Sequence, residues 1–146
     1  VFLCTGDGGL RLLAVRPDGS GDVTATGIDW TMKKGNVPSR SSPILVDDLL
    51  YMVSEGGIVT CVEAKMGKPL WQGRIGGKFW ASPIYADGRL YFFDEEGHGH
   101  VVAAGREWKK LATNKLDDGC RASPAVAGKA LFVRTLTHLY RIEERE

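Results

Sequence analysis

Apolar residues along this chain come in short, unbroken runs. Leu50-Tyr51-Met52-Val53, Leu90-Tyr91-Phe92-Phe93 and Leu131-Phe132-Val133 do not alternate with polar residues, and Val1-Phe2-Leu3-Cys4 has the same character. Alternation is expected where one face of a strand meets water, so these runs predict strands buried on both faces. A buried helix fits less well, because the runs are short, aromatic or β-branched, and bounded by Gly and Asp.

The runs recur at a fixed period. Ser42-Pro43, Ser82-Pro83 and Ser123-Pro124 are separated by 40 and 41 residues, and Tyr51, Tyr91 and Phe132 keep the same two spacings. Within residues 42–81 the order is Ile44 to Val46, Leu49 to Val53, Ile58 to Val62 and Leu70 to Gln72, with turn residues between. Residues 82–122 repeat it as Ile84 to Ala86, Leu90 to Phe93, His100 to Ala104 and Trp108 to Ala112. Four strands in about 40 residues is the period of a propeller blade. Residues 1–41 (partial) offer three strands, and so do residues 123–146 (partial), which end in the charged tail Glu143-Glu144-Arg145-Glu146. The expected fold is therefore all-β: a single array, residues 1–146, of about four blades of antiparallel strands, the first and last incomplete, half of an eight-blade-like ring. Pro at the start of each inner strand agrees, since that strand is an edge and Pro cannot donate to a ladder. A solenoid of stacked hairpins is the lesser alternative.

Charge and cysteines remove several classes of function. With 19 basic and 18 acidic residues the net charge is +1, and the lysine pairs Lys33 with Lys34 and Lys109 with Lys110 are scattered, so nucleic acid is not an expected partner. Cys4, Cys61 and Cys120 have no CxxC spacing and read as free, buried thiols. No apolar run is long enough for a membrane span. The chain lacks a starting Met and a signal peptide, so it is expected to begin inside a repeat, with any targeting signal upstream.

One stretch carries a family resemblance: Val62-Glu63-Ala64-Lys65-Met66-Gly67-Lys68-Pro69-Leu70-Trp71, set in the recurring Ser-Pro, apolar, Asp/Gly, Leu-Tyr framework. It resembles the pyrroloquinoline quinone-like, or quinoprotein-type, β-propeller repeat, nearest to its non-catalytic branch of outer-membrane assembly lipoproteins. The family pattern is roughly Ala-x-Asp-x-x-Thr-Gly-Lys-x-x-Trp; here Met66 replaces the Thr, while Gly67, Lys68 and Trp71 match. The resemblance implies that Trp71 docks on the neighbouring blade, that Trp30 fills the same slot one unit earlier, and that Leu111 takes it in the third unit. It also implies an extracytoplasmic or periplasmic setting and a C-terminal half-propeller.

Candidate chemistry is sparse. A quinone-dependent dehydrogenase would need a calcium site of several oxygen ligands, and Asp94, Glu95 and Glu96, the densest acidic cluster, read as solvated turn residues before Gly97. His98 and His100 share a strand face at i and i+2, a weak candidate metal pair on an otherwise exposed hairpin. The better constellation is Arg40, Trp80 and Arg121, each two residues before a Ser-Pro serine, which repeat equivalence places on one rim. The competing reading packs Trp80 between blades and pairs the arginines with Asp118 or other acids.

The function expected is a non-catalytic propeller scaffold, without cofactor, that binds a protein, peptide or glycan. The alternative is part of a pyrroloquinoline quinone-dependent dehydrogenase whose cofactor ligands lie in the upstream half; a third class is an array that only spaces other domains. Exposed blade faces at both ends favour a homo-oligomer, a dimer closing the ring.

Overall fold

The computed structural model describes residues 1–5, 9–33 and 37–144. Residues 6–8 and 34–36 and the last two residues of the charged tail lie outside the described residues. Every regular element among those described is a β-strand, and the strands form four antiparallel meanders. The first contains β1 (Phe2–Thr5), β2 (Arg11–Val15) and β3 (Ile28–Lys33); the second β4 (Ile44–Val46), β5 (Leu49–Val53), β6 (Ile58–Glu63) and β7 (Lys68–Arg74). The third contains β8 (Ile84–Ala86), β9 (Arg89–Phe93), β10 (His98–Ala103) and β11 (Lys110–Lys115); the fourth β12 (Ala125–Ala127), β13 (Ala130–Arg134) and β14 (Leu139–Ile142). Hairpins join sequential strands: Asp87 and Gly88 both take positive φ, 48° and 71°, the turn that matches strand twist.

The unbroken apolar runs are explained by where their side chains go. On β5, Leu50 and Met52 enter one apolar cluster with Leu12, Val37 and Val62, between the first and second sheets. Leu49, Tyr51 and Val53 enter another with Cys61, Trp71, Leu90, Phe92 and Val102, between the second and third. Every residue of β5 is buried. On β9 the split recurs, with Phe93 joining Cys120 and Val133 against the fourth sheet. Full two-sided burial does not extend to β1 and β13, because each has a neighbouring sheet on one side only; Leu3 is 48% exposed.

The seams between sheets are also pinned by polar contacts. Trp30 Nε1 donates to Ala64 O at 3.0 Å, and Trp71 Nε1 donates to Gly105 O at 2.9 Å, each acceptor lying 34 residues on. A Cβ added to Gly67 would meet the Trp30 ring at 2.6 Å, and its φ of +65° disfavours any side chain. Tyr51 adds a second clasp, its hydroxyl accepting from Gly105 N at 2.7 Å and donating to Gly105 O at 3.3 Å.

The third sheet departs from the sequence expectation. Its outer strand is Lys110–Lys115, not Trp108 to Ala112, because Trp108 packs against Trp71 with ring centroids 5.2 Å apart. Register then places Ala112, not Leu111, in the tryptophan slot. Trp71 pairs with Cys61 and Ala112 with Val101, each just before a bulge, and the intervening loop is one residue longer in the third sheet. Leu111 is exposed.

Trp71 therefore combines an apolar load with the only indole bond at its seam among the described residues. Trp71→Ala should lower unfolding free energy by about 3 to 5 kcal/mol, the usual range for truncating a buried aromatic. Trp71→Phe should recover most of this, short of about 1 kcal/mol for the hydrogen bond. Urea denaturation followed by circular dichroism measures both; equal losses for the two variants would show that the ring's packing is immaterial.

Candidate functional site

Arg40, Trp80 and Arg121 all lie in the connections that lead from one sheet into the inner strand of the next, and the structure brings them together. Arg40 Cζ stands 3.5 Å from the centroid of the Trp80 ring and Arg121 Cζ 5.1 Å from it. Both distances are within the range of a cation–π attraction. Trp80 is half-buried and lies outside the apolar clusters between sheets, so its ring serves the rim and not the seam.

The arginines do pair with acids, as the competing reading expects, but with acids other than Asp118. Arg40 Nε is 3.8 Å from Glu55, and Arg121 Nε is 3.3 Å from Glu95 Oε1. The second pair is not aligned as a hydrogen bond, for that buried oxygen has no donor. Asp118 instead accepts from the Thr137 amide and hydroxyl, at 2.8 and 2.7 Å. Because both ion pairs use Nε, the terminal nitrogens of Arg40 and Arg121 carry no hydrogen bond among the described residues. They form two planar donor forks beside one aromatic face.

Beneath the rim runs a contact that spacing did not reveal. Ser42 N donates to Ser82 Oγ at 2.9 Å, and Ser82 N donates to Ser123 Oγ at 3.0 Å. The recurring serine is thus a link from each inner strand to the next, and the recurrence itself was its signal. A cleft of about 390 Å³ opens beside Arg40, lined by Phe2, Cys4, Ser42, Pro43 and Leu45 among others.

The second candidate group, His98 and His100, is not an exposed hairpin, and Asp94 is not a solvated turn residue. Asp94 is 1% exposed and His100 4%. Asp94 Oδ1 accepts from the amides of Glu96 and His98 at 3.0 and 2.8 Å, and Oδ2 faces His98 Nδ1 at 3.0 Å and His100 Nε2 at 3.5 Å. Burial opposes ionisation of Asp94, yet the bonds from His98 and Glu96 outweigh it and hold its pKa below the ordinary value. For His100, burial is the largest effect and depresses its pKa against the pull of Asp94. His98 thus closes the β9–β10 turn through that carboxylate, while His100 Nε2 is buried without a hydrogen-bond partner and its Nδ1 meets Thr113 Oγ1 at 3.3 Å.

Among the described residues, no group of three or more His, Cys, Asp or Glu is arranged to hold a metal ion. The residues also do not fit a calcium-bound quinone, which needs several oxygens turned to one point. Asp94 is spent on the turn and Glu95 on Arg121. The three cysteines are free, Cys61 and Cys120 buried and Cys4 half-buried, and burial pushes the Cys61 and Cys120 thiols up to about 11.

Comparison with known proteins now has a structure to rest on. Residues 20–136 match the family described as outer membrane protein assembly factor BamB. The chain belongs to that family. A BamB of Burkholderia pseudomallei (strain K96243) is 29% identical over 108 residues, 73% of this chain and 28% of the relative. The crystal structure of BamB from Moraxella catarrhalis superposes with a TM-score of 0.73 at 16% identity, covering 97% of this chain and 42% of that one. The chain thus spans less than half the length of either BamB. A europium-containing methanol dehydrogenase shares the fold at a TM-score of 0.58 and 13% identity, over 82% of this chain and 23% of its own. Apo AztD from Citrobacter koseri does so at 0.57 and 14%, over 81% and 32%. The fold is the quinoprotein-like propeller, and this chain is a BamB-type piece of it.

The Asp94 group makes stability depend on pH with a definite sign. A depressed histidine pKa means that the neutral ring is favoured in the fold. The His100 contribution is complete above the ordinary value of 6.5 and is lost as pH falls below it. Asp94, lowered from 3.8, adds its loss only in stronger acid. The melting temperature should therefore fall between about pH 7 and pH 5, and His100→Gln should flatten that fall. Calorimetry across the range decides; an unchanged slope in the variant would acquit His100.

Proposed function

We propose that this chain is part of a non-catalytic propeller scaffold for outer membrane protein assembly, working outside the cytoplasm. Its inner rim would hold a protein, peptide or glycan partner. Membership of the BamB family and the name of the Burkholderia relative support the assembly role. The observation that carries the rim is the Trp80 ring held against two guanidiniums whose terminal nitrogens are uncommitted. A carboxylate or a planar group suits it: each fork can accept a carboxylate in two parallel bonds, and the ring offers a stacking surface. In the same proposal residues 1–41, 42–81, 82–122 and 123–146 act as one array of repeats, with Trp30, Gly67 and Trp71 as docking residues.

Mutation can separate binding from folding. Arg40→Ala and Arg121→Ala should change stability by only about 0 to 1 kcal/mol, as expected of exposed ion pairs, while weakening capture of an acidic peptide by about tenfold or more. Trp80→Ala should lose more affinity than stability. Titration of the peptide against each variant, with melting curves alongside, is the test; a destabilised Trp80→Ala that still binds normally would remove the rim as a site. If the protein reconstituted with pyrroloquinoline quinone and calcium catalysed dye-linked alcohol oxidation, the scaffold reading would fail in favour of the dehydrogenase.

Self-association follows from the same architecture. Val1 (63%) and Leu3 (48%) are exposed on the first sheet, and Leu136 (63%) and Leu139 (72%) on the fourth. An isolated polypeptide of these 146 residues should pair head to tail, covering both faces. A well-behaved monomer by light scattering at micromolar concentration would contradict this.

A further inference from the structure

The three seams are built on one plan, and the third is not filled. At the second seam Tyr51, Cys61 and Trp71 lie in line across β5, β6 and β7, with the indole covering its neighbours: the ring centroids of Tyr51 and Trp71 are 5.9 Å apart and Cys61 is fully buried. The same line at the third seam is Tyr91, Val101 and Ala112. Ala112 supplies a methyl group where Trp30 and Trp71 supply an indole. The inner end of the seam is changed in the same direction. Leu49, buried in the core, is matched in register by Arg89, which is exposed and paired with Asp87; Val46 is matched by Ala86.

An open groove of about 570 Å³ lies beside Tyr91, between the third and fourth sheets. Its apolar walls are Tyr91, Val126, Leu131 and Ile142, and its charged lining is Asp87, Glu143 and Glu144 with Arg89 and Lys129. Val126 is 46% and Ile142 42% exposed. Within this one chain, the corresponding seams show what such a space takes: a flat bicyclic ring whose N–H reaches a backbone carbonyl of the next sheet.

We propose that the third seam is a receptor groove for one aromatic side chain, of the indole class, presented by a partner protein. The partner's ring would lie against Tyr91, Leu131 and Ile142, completing in trans what Trp30 and Trp71 complete in cis. The cations at the rim would face the π surface or an acidic residue flanking the ring. This site is separate from the Arg40, Trp80 and Arg121 rim and does not depend on it.

The probe is N-acetyl-tryptophanamide, titrated into the protein and followed by NMR. Shifts confined to Tyr91, Val126, Leu131 and Ile142 at millimolar probe are the expected result. Ala112→Trp should fill the groove from within, raise the melting temperature and weaken probe binding at least tenfold. Should that variant misfold, Val126→Glu alters an exposed wall position and should weaken binding several-fold with the melting temperature unchanged. Absence of localised shifts at the solubility limit of the probe would overturn the proposal. So would probe binding that survives both substitutions, or groove shifts that appear on concentrating the protein alone, which would assign the space to a second copy.

Discussion

The structure depends on the fact that no sheet in it can cover its own faces. A strand such as β5 sends Leu50 and Met52 one way and Leu49, Tyr51 and Val53 the other, so half of its apolar surface belongs to each adjacent seam. Burial of a leucine-sized side chain contributes about 1.5 to 3 kcal/mol, and here that gain exists only when two sheets meet. The array is stabilised by its seams, and each seam is shared property of two repeats.

Apolar faces slide unless something fixes their alignment, and at each filled seam the fixing is done by directional bonds. An indole N–H donates to a carbonyl 34 residues on at the first and second seams, and a serine hydroxyl accepts from the previous serine's amide at the second and also at the third, which has no indole. They give each seam a direction, donor on one sheet and acceptor on the next. That direction is why a head-to-tail contact, and not a face-to-face one, is the natural continuation of the array.

Most of the fold was legible because the seam requirement is written into composition at a fixed period: non-alternating runs, Ser-Pro pairs and the Gly67 to Trp71 motif all express it. The rim trio was legible for the same reason, since equivalent positions in a repeat converge. What the period could not show was chemistry that differs between repeats. Asp94 falls in an acidic turn cluster that looks solvated, and only tertiary packing of the β9–β10 turn reveals a buried carboxylate satisfied by His98. The third outer strand was misplaced because one extra loop residue shifts the count, and an aromatic at Trp108 attracted the strand assignment to itself. Glu55 and Glu95, which hold the rim arginines, stand 40 residues apart at equivalent hairpin tips, so the period carried their equivalence but not their pairing with Arg40 and Arg121.

This division has a physical basis. Seam positions are buried on both sides, so a change there is felt by two repeats, and only a small set of residues is tolerated. Loop positions away from the seams and the rim carry less of this constraint. Both proposed sites therefore sit where the repeat is broken: at Arg40, Trp80 and Arg121, where three equivalent positions carry two cations and one ring, and at the third seam, where Ala112 takes the place of a tryptophan. A perfect repeat would bury every aromatic and pair every strand, leaving a partner nothing to hold. The departures from the period lower the internal completeness of the array, and those same departures are what give it surfaces able to distinguish one partner from another.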